Sequence, residues 1–387
     1  MPNILITGAG LSGTVIARHL AEKDYNLTVI DEKDHTAGHC RSYRDEKTNV
    51  MVHQYGPHIF HTDIKEVWDY VNQYAQFMPY TNRVKAHTEF GTFSLPVNLL
   101  TLSQRFGREF SPREAYDFVQ SKADKSITDP KNFEEKGLSL MGEELYHTFF
   151  SGYTLKQWGR DPKELPASVL SRLPFRFNYD DNYFTHPYQG MPKEGYSTLI
   201  ENILDHPNIK VKLNTVFTKE MAAQYDHVFY SGQLDRYFDF ELGRLEYRTL
   251  DFEKFYPGKE ETLNGDYQGG AVVNYCSPKI PYTRITEHKH FAPWEEHEGT
   301  VCYKEFSRNC EPTDIPYYPV RLSGKNDLLD KYVAEAEKLT GITFVGRLGL
   351  YRYFDMDKTI DAALKTARQF EKTFKAGENC SMPFAEL

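Results

Sequence analysis

The chain has 387 residues, which is too many for one small core and indicates two or three closely joined subdomains. A net charge of −9 argues against a surface for nucleic acid or an anionic membrane, so an anionic ligand must be met by a few placed arginines. Five cysteines without a CxxC pair, no signal-peptide pattern and no apolar run of ~20 residues predict a cytoplasmic protein without membrane insertion.

The first predicted elements form a βαβ unit. Asn3–Thr7 reads as a short buried strand, Gly8–Gly13 as a turn, Thr14–Lys23 as a helix and Asn26–Ile30 as a second strand. This order is typical of a dinucleotide-binding fold.

The later segments change character twice. Residues 63–173 have mostly helical patterns, with a strand expected near Phe90–Leu95. From Tyr225 to Phe306 the texture is β, which suits an antiparallel sheet with one face lined by ligand-binding side chains. Ile342–Val345 returns to a buried strand, and Met356–Phe374 is predicted to be an amphipathic final helix.

A glycine fingerprint lies between the first strand and its helix. Gly8 permits the tight turn, Gly10 lets the backbone approach a pyrophosphate, and Gly13 lets helix and strand pack closely. Ser12 belongs to the same loop, and Asp31 at the end of the second strand can accept from a ribose hydroxyl. A lone GxGxxG is weak evidence, but here strand, helix and terminal acid agree.

FAD is favoured over NAD because of the residues immediately after Asp31 and a second segment near the C-terminus. Glu32, Lys33 and Gly38 resemble the E-x5-GG continuation of the glutathione-reductase-like and amine-oxidase-like flavoproteins, although Ala37 replaces the first glycine of that pair. Those families place a second flavin segment near the C-terminus, and residues 345–347 and 353–356, which lead into a helix, fit that role.

Aromatic residues make up 14% of the chain, with 27 Tyr and 26 Phe. A hydroxylated ring offers a stacking face and a polar handle, which suits nucleotides and sugars, although most of these rings fill cores.

Several long segments together resemble the bacterial UDP-galactopyranose mutase family. They are Tyr55–Thr62 (YGPHIFHT), Gly152–Gly159 (GYTLKQWG), Asn182–Gly190, Pro281–Ile285 with Glu287–His290, Pro316–Val320 and Gly346–Leu348. The resemblance implies an α/β fold with an FAD-binding Rossmann-like domain (1–62, 191–230 and 340–375), a mainly helical insertion with a mobile loop (63–173) and an antiparallel β-sheet substrate domain (174–190 and 231–339).

The resemblance also implies roles for individual residues. The catalytic set is Arg172 on the mobile loop, Arg284 and His61. The residues expected beside FAD are Gly8, Gly10, Ser12, Gly13, Asp31, Glu32, His39, His58, Ile59, Val216, Phe217, Arg347, Phe354, Asp355 and Met356. The residues expected to bind the substrate are Asn82, Phe149, Tyr153, Thr154, Trp158, Arg172, Tyr183, Asn274, Arg284, Tyr318 and Tyr353.

Physical chemistry explains why these residue types suit those roles. Arginine forks can hold the oxygens of a departing UDP as they gain charge. Phe149 and Tyr153 would stack on uracil, and Asn82 would approach the sugar. Glu305 lies near the site without an assigned role. His53, His58 and His61 lie close together, but no metal is predicted, because a metal site needs converging ligands.

The implied reaction interconverts UDP-galactopyranose and UDP-galactofuranose without net redox. In this reaction N5 of reduced FAD attacks the anomeric carbon and expels UDP, which later returns to the rearranged sugar. An unidentified reductant keeps the FAD reduced. A homodimer is the family's habit.

Three alternatives remain open. One is an amine-oxidase-like flavin oxidoreductase, and another is the same isomerisation of UDP-N-acetylgalactosamine, for which pocket size near His61 would decide. The third is a nucleotide-binding regulator without chemistry.

Overall fold

The structure, a computed structural model, describes residues 1–172, 175–321, 327–376 and 384–385, with the backbone alone at 171 and 172. The strands in chain order are β1 (Asn3–Thr7), β2 (Asn26–Ile30), β3 (Ser42–Arg44), β4 (Met51–His53), β5 (Phe60–Thr62), β6 (Phe77–Pro79), β7 (Val84–Thr88), β8 (Gly91–Leu95), β9 (Tyr188–Pro192), β10 (Ile209–Lys212), β11 (His227–Tyr230), β12 (Tyr247–Phe255), β13 (Val272–Tyr275), β14 (Arg284–Glu287), β15 (Cys302–Asn309), β16 (Tyr318–Pro319) and β17 (Ile342–Phe344).

The helices in chain order are α1 (Leu11–Ala21), α2 (Lys65–Val71), α3 (Leu99–Phe106), α4 (Pro112–Lys122), α5 (Phe133–Tyr146), α6 (Gly152–Trp158), α7 (Gly195–Leu204), α8 (Lys219–Ala222), α9 (Leu234–Tyr237), α10 (Asp327–Ala336), α11 (Gly346–Gly349) and α12 (Met356–Lys375). None of these described helices combines the length and the apolar character that a bilayer crossing needs.

A parallel sheet forms the dinucleotide-binding half. Its described strands run in the order β10-β2-β1-β11-β17, and every neighbouring pair is parallel. Side chains alternate across β1, so Ile4 and Ile6 join the core that contains α1 and α12, while Leu5 packs with Tyr332 and Phe344 on the other face. Because both faces are covered, the strand is apolar throughout.

Helix α1 begins at Leu11, three residues before the predicted start at Thr14. The predicted turn Gly8–Gly13 therefore contains the first helical residues. Gly10 is the extended N-cap, and the backbone N–H of Thr14 already donates to the Gly10 carbonyl oxygen at 3.0 Å.

A second, largely antiparallel sheet forms the other half. Its described strands run in the order β16-β12-β15-β14-β13-β7-β8, with one parallel pairing in which Val272 faces Val84. The strand expected near Phe90–Leu95 is present as β8, and it forms a hairpin with β7 that belongs to this sheet and not to the helical layer. The three-part division of the chain stays a prediction. The backbone hydrogen bonds of residues 84–95 nevertheless place them in the antiparallel sheet, although they fall within the predicted helical insertion 63–173.

Local signals explain where the helical segment starts and stops. The Asn98 side chain accepts from the N–H of Thr101 at the start of α3, and Ser111 forms a capping box with Glu114 at the start of α4. The Asn132 side chain accepts from Glu135 before α5. A π-helical turn at His147–Ser151 then joins α5 to α6, and within it Phe149 is buried.

Candidate active site

One large cavity, of about 1300 Å³, separates the two halves. The antiparallel sheet forms one wall, α6 and the helical segment form another, and the third comes from residues around His58 and from the chain leading into α12. The predicted residues in its wall are His39, His58, Ile59, His61, Asn82, Phe149, Tyr153, Thr154, Trp158, Tyr183, Asn274, Arg284, Tyr318, Arg347, Tyr353, Phe354, Asp355 and Met356. Residues separated by most of the chain thus meet in one chamber.

The other predicted residues lie elsewhere. Gly8, Gly10, Ser12, Gly13, Asp31, Glu32, Val216 and Phe217 are not among the described residues of the cavity wall. The Arg172 backbone ends a short 3-10 helix, Ala167–Arg172, and its side chain lies outside the described residues.

The loop before α1 is shaped to hold a pyrophosphate. A Cβ added to Gly13 would lie 2.2 Å from the Gly8 carbonyl oxygen, so helix and strand meet too closely for any side chain. A Cβ on Gly10 would meet only the Gly38 Cα at 3.8 Å, which leaves open space above the loop. Among the described residues, no side chain caps α1 and its first turn holds no acid, so this helix N-terminus suits an anion.

Asp31 organises this loop from the end of β2. Its carboxylate accepts from the N–H of Ala9 at 2.8 Å and from the N–H of Lys33 at 2.9 Å. A carboxylate has room for further hydrogen bonds, so a ribose hydroxyl can still donate to it. The residues fit the dinucleotide role predicted for them.

Ala37 shows how the chain accommodates its departure from the Gly-Gly pattern. It has φ 71°, a left-handed conformation that costs a residue with a Cβ roughly 1–2 kcal/mol. Its N–H donates to the Ala9 carbonyl oxygen at 2.9 Å, which ties this turn to the glycine loop.

The more distant cofactor candidates have protein partners of their own. The Glu32 carboxylate accepts from Arg236 Nη1 at 2.8 Å near the surface. The Phe217 ring stacks on Tyr237 at 6.2 Å between ring centroids, while the Val216 side chain is exposed. Their contact with a cofactor stays a prediction.

Hydrogen bonds fix His53 and His58 near the predicted flavin segment. His58 Nδ1 donates to the Gly56 carbonyl oxygen at 2.8 Å, because a carbonyl can only accept. Burial, with Arg347 nearby, lowers the pKa of His58 to about 4, so the ring is neutral and keeps Nε2 as an acceptor. His53 Nδ1 in turn accepts from the His58 N–H at 3.0 Å, and burial lowers the pKa of His53 as well.

His61 is half of a histidine pair. Its Nδ1 lies 2.7 Å from Nδ1 of His186, so the two rings share one proton at this contact. The His61 ring also stacks on Phe184 at 3.6 Å between centroids. His186 and Phe184 line the cavity but were not predicted, although both lie inside the segment Asn182–Gly190 that carries the resemblance.

Arg284 is a largely buried cation in the cavity wall, with its side chain 20% exposed. It lies at the start of β14, and its Nε donates to Glu305 Oε1 at 3.0 Å. Burial alone would lower the pKa of Arg284, but the Glu305 carboxylate raises it, so the guanidinium stays charged. A fixed charge in a site shielded from water acts strongly on any anion beside it.

Tyrosines lie near both Arg284 and Arg347 in the cavity wall. Tyr318 and Tyr353 stack at 5.7 Å between ring centroids, and the Arg347 guanidinium lies 5.6 and 5.5 Å from their centroids. Burial raises the pKa of Tyr153 and of Tyr318, so both hydroxyls stay protonated and can donate to phosphate oxygens.

Several buried polar atoms in the wall have no partner among the residues that the structure describes. The unpartnered acceptors are Asn82 Oδ1, Asn274 Oδ1, Gln157 Oε1 and Glu305 Oε2, and Arg176 Nη2 is an unpartnered donor. An unmatched buried polar atom costs about 1–3 kcal/mol, so the chamber is complementary to a ligand rich in hydroxyl and N–H groups.

Comparison with known proteins agrees with this geometry. Residues 148–353 match the family model for UDP-galactopyranose mutase, and residues 6–74 match an NAD(P)-binding Rossmann-like domain. A probable UDP-galactopyranose mutase of Klebsiella pneumoniae is 59% identical over 95% of this chain and 94% of its own length. The chain belongs to the UDP-galactopyranose mutase family. A dTDP-fucopyranose mutase of Escherichia coli is 52% identical over 97% of this chain and 100% of its own length.

Solved structures share the fold. A crystal structure of reduced UDP-galactopyranose mutase matches with a TM-score of 0.72 at 17% identity, covering 97% of this chain and 96% of the other. A putative protoporphyrinogen oxidase from Exiguobacterium matches with a TM-score of 0.65 at 13% identity, over 96% and 99% of the two chains. The predicted family is therefore confirmed, as is the predicted α/β fold with a Rossmann-like domain and an antiparallel sheet domain.

The family segment Gly152–Gly159 is a helix built to dock on the antiparallel sheet. A Cβ on Gly152 would lie 2.4 Å from the Cys276 carbonyl oxygen, and a Cβ on Gly159 would lie 2.3 Å from Arg248 Nη1. Arg248 Nε donates to the Gln157 carbonyl oxygen at 3.2 Å and so caps the end of α6. The two glycines let the helix approach the sheet closely, and Tyr153, Thr154, Gln157 and Trp158 line the cavity.

Trp158, predicted on a gating loop, is the last residue of α6 and lines the cavity as a half-buried ring packed on the core. We expect Trp158→Ala to lower kcat/KM by about tenfold, with both kcat and KM changed, because the ring positions this end of the chamber. Steady-state kinetics of nucleotide-sugar turnover measure this. Trp158→Phe, which keeps an aromatic ring, is the control, and unchanged constants in the alanine variant would leave Trp158 a packing role alone.

Proposed function

We propose that this protein interconverts UDP-galactopyranose and UDP-galactofuranose, with reduced FAD as its cofactor. The observation that carries the proposal is the largely buried, charged Arg284 in a chamber that also contains the predicted flavin segment and a set of acceptors without a partner among the described residues. Membership of the mutase family supports the reaction type.

The chain offers FAD two attachment points. The glycine loop with Asp31 would hold the pyrophosphate and ribose, and Phe354–Met356 at the start of α12 would meet the flavin ring. Bound in its reduced form, FAD would supply at N5 an electron pair for the anomeric carbon and receive it back, so that no net redox occurs.

The residues of the chamber divide the remaining work. Arg284 would stabilise the negative charge that UDP gains as its bond to the sugar breaks. Arg172, at the end of the 3-10 helix Ala167–Arg172, would be the second arginine that binds the departing UDP. Tyr318 and Tyr353 would donate to the phosphate oxygens, and the free acceptor of Asn82 would receive a sugar hydroxyl.

A second substrate must be tested, because one relative is named dTDP-fucopyranose mutase. Fucopyranose lacks the 6-hydroxyl of galactose. A site whose buried acceptors need hydrogen-bond donors loses binding free energy when the ligand lacks one of those donors. The acceptors therefore favour the fully hydroxylated sugar.

The decisive experiment is turnover of defined nucleotide sugars by the purified protein. We expect dithionite-reduced enzyme to convert UDP-galactofuranose to UDP-galactopyranose, and air-oxidised enzyme to be inactive, because only reduced flavin has a nucleophilic N5. UDP-galactopyranose, UDP-N-acetylgalactosamine and dTDP-fucopyranose, all supplied as pyranoses, are then compared by chromatography, so that the substrates are ranked in one direction of the reaction. Equal turnover in air contradicts the cofactor role, and a higher kcat/KM for the thymidine nucleotide contradicts the substrate.

A further inference from the structure

Lys156, in the middle of α6, has an unusual set of partners. Its Nζ donates to four backbone carbonyl oxygens, those of Tyr275 at 2.7 Å, Ser277 at 3.0 Å, Ile280 at 3.0 Å and Tyr282 at 2.9 Å. An ammonium has three N–H groups, so at least one is shared between two oxygens. Four oxygens of one loop thus converge on one positive charge.

This cage is built by the loop that joins β13 to β14. The loop closes on itself, because the Tyr275 N–H donates to the Thr283 carbonyl oxygen at 2.9 Å. Its two ends carry Asn274 and Arg284, which are paired across the strands. The position of the loop therefore sets the position of two cavity residues.

The charge is compensated by backbone dipoles. Burial lowers the pKa of Lys156 to about 8, and no carboxylate in the described part of the chain forms a salt bridge with it. The carbonyl oxygens favour the charged form, since charge-assisted hydrogen bonds are about twice as strong as neutral ones. Rings of backbone carbonyls are also how proteins replace the hydration shell of potassium.

We propose that Lys156 is a positioning residue whose ammonium occupies a monovalent-cation site made by the carbonyls of residues 275–282. It fastens that loop to α6, and so fixes Asn274 and Arg284 opposite Tyr153 and Thr154. The catalytic part of this inference rests on the mutase function proposed above, whereas the cation site itself does not.

The test replaces the lysine and supplies the cation from solution. We expect Lys156→Ala to lower kcat/KM by about tenfold or more and to weaken UDP binding, because the loop loses its anchor. Potassium or ethylammonium should restore both, while choline at the same ionic strength should not enter the cage. Lys156→Met fills the site with an apolar chain, and we expect the same loss without restoration.

Lys279 provides a matched control in the same loop. Its side chain is 82% exposed and pairs with Glu89 at 3.0 Å, so Lys279→Ala should match the wild type and show no cation dependence. The Tm of Lys156→Ala, measured in potassium and in choline, tests cation binding at this site without any enzyme turnover. A potassium-specific rise in Tm supports the site even if UDP-galactose is not the substrate. Loss of activity and Tm that no cation restores, or Lys156→Ala kinetics equal to those of Lys279→Ala, would overturn the proposal.

Discussion

Replacement of Arg284 by alanine is expected to lower kcat by about a hundredfold or more, which is the usual loss when one donor to developing charge is removed from a preorganised site. The guanidinium is enclosed, charged and already oriented by the bond from its Nε to Glu305. KM should change less than kcat, because the contact matters most as the bond to the sugar breaks. Steady-state kinetics with dithionite-reduced enzyme measure both constants.

Arg284→Ala also leaves Glu305 buried without its partner, which destabilises a protein by roughly 3–5 kcal/mol in comparable cases. Tm and the bound flavin fraction must therefore be measured beside kcat, and Arg284→Lys keeps the charge while it removes the fork. Arg308→Ala is the control, since Arg308 lies on neighbouring β15 but pairs with exposed Asp251 at the surface. A kcat within a few-fold of wild type in Arg284→Ala would remove this residue from the chemistry.

The second large effect is expected from Gly13→Ala. The new Cβ would lie 2.2 Å from the Gly8 carbonyl oxygen and 2.8 Å from Ile6 Cγ2, so the backbone of α1 or β1 must shift. Overpacking of a tight core costs roughly 1–3 kcal/mol and distorts the loop that would hold the pyrophosphate. We expect a lower Tm and a protein that purifies without FAD, as measured by the ratio of flavin to protein absorbance.

Gly10→Ala separates the two parts of that effect. Its Cβ has 3.8 Å to the Gly38 Cα, so the fold should survive while the space for the pyrophosphate is filled. We expect a near-normal Tm of the apoprotein and much weaker FAD binding. Gly270→Ala, with open space around it, controls for the loss of any glycine. Full flavin content in Gly13→Ala would contradict the assignment of this loop.

The elements that local sequence controls were predictable. β1, β2 and α12 stand within a residue or so of their predicted bounds, because apolar runs and helical periodicity fix them. The predicted start of α1 at Thr14 is three residues late, because Gly10 is the N-cap and Gly13 already lies in the helix. The strand near Phe90–Leu95 is predicted inside the helical segment because its place in the sheet depends on the pairing of Val84 with Val272, which lie about half the chain apart.

The cavity residues that lie in segments resembling the family were largely predictable from the sequence. The cavity residues Gln157, Arg176 and His186 were not predicted, although Gln157 and His186 lie inside the segments that resemble the family. Gln157 and Arg176 each have a buried polar atom without a described partner, and His186 forms a hydrogen bond with His61. These features depend on residues that are distant in the sequence, so the sequence alone does not show them. The same holds for the four carbonyls around Lys156. Arg172, whose side chain is outside the described residues, stays a prediction.

The order of strands in the parallel sheet has a consequence for biosynthesis. A ribosome that has just completed α7 has made only β1 and β2 of the five described strands, and β17 is made more than a hundred residues later. The helix α12, which packs against α1, is made later still. Domains tend to form as their sequence emerges, but this one lacks its last described strand and the predicted second flavin segment until synthesis is nearly finished. If the proposed FAD binds, we expect it to load late, and chains that end before β17 should accumulate without flavin.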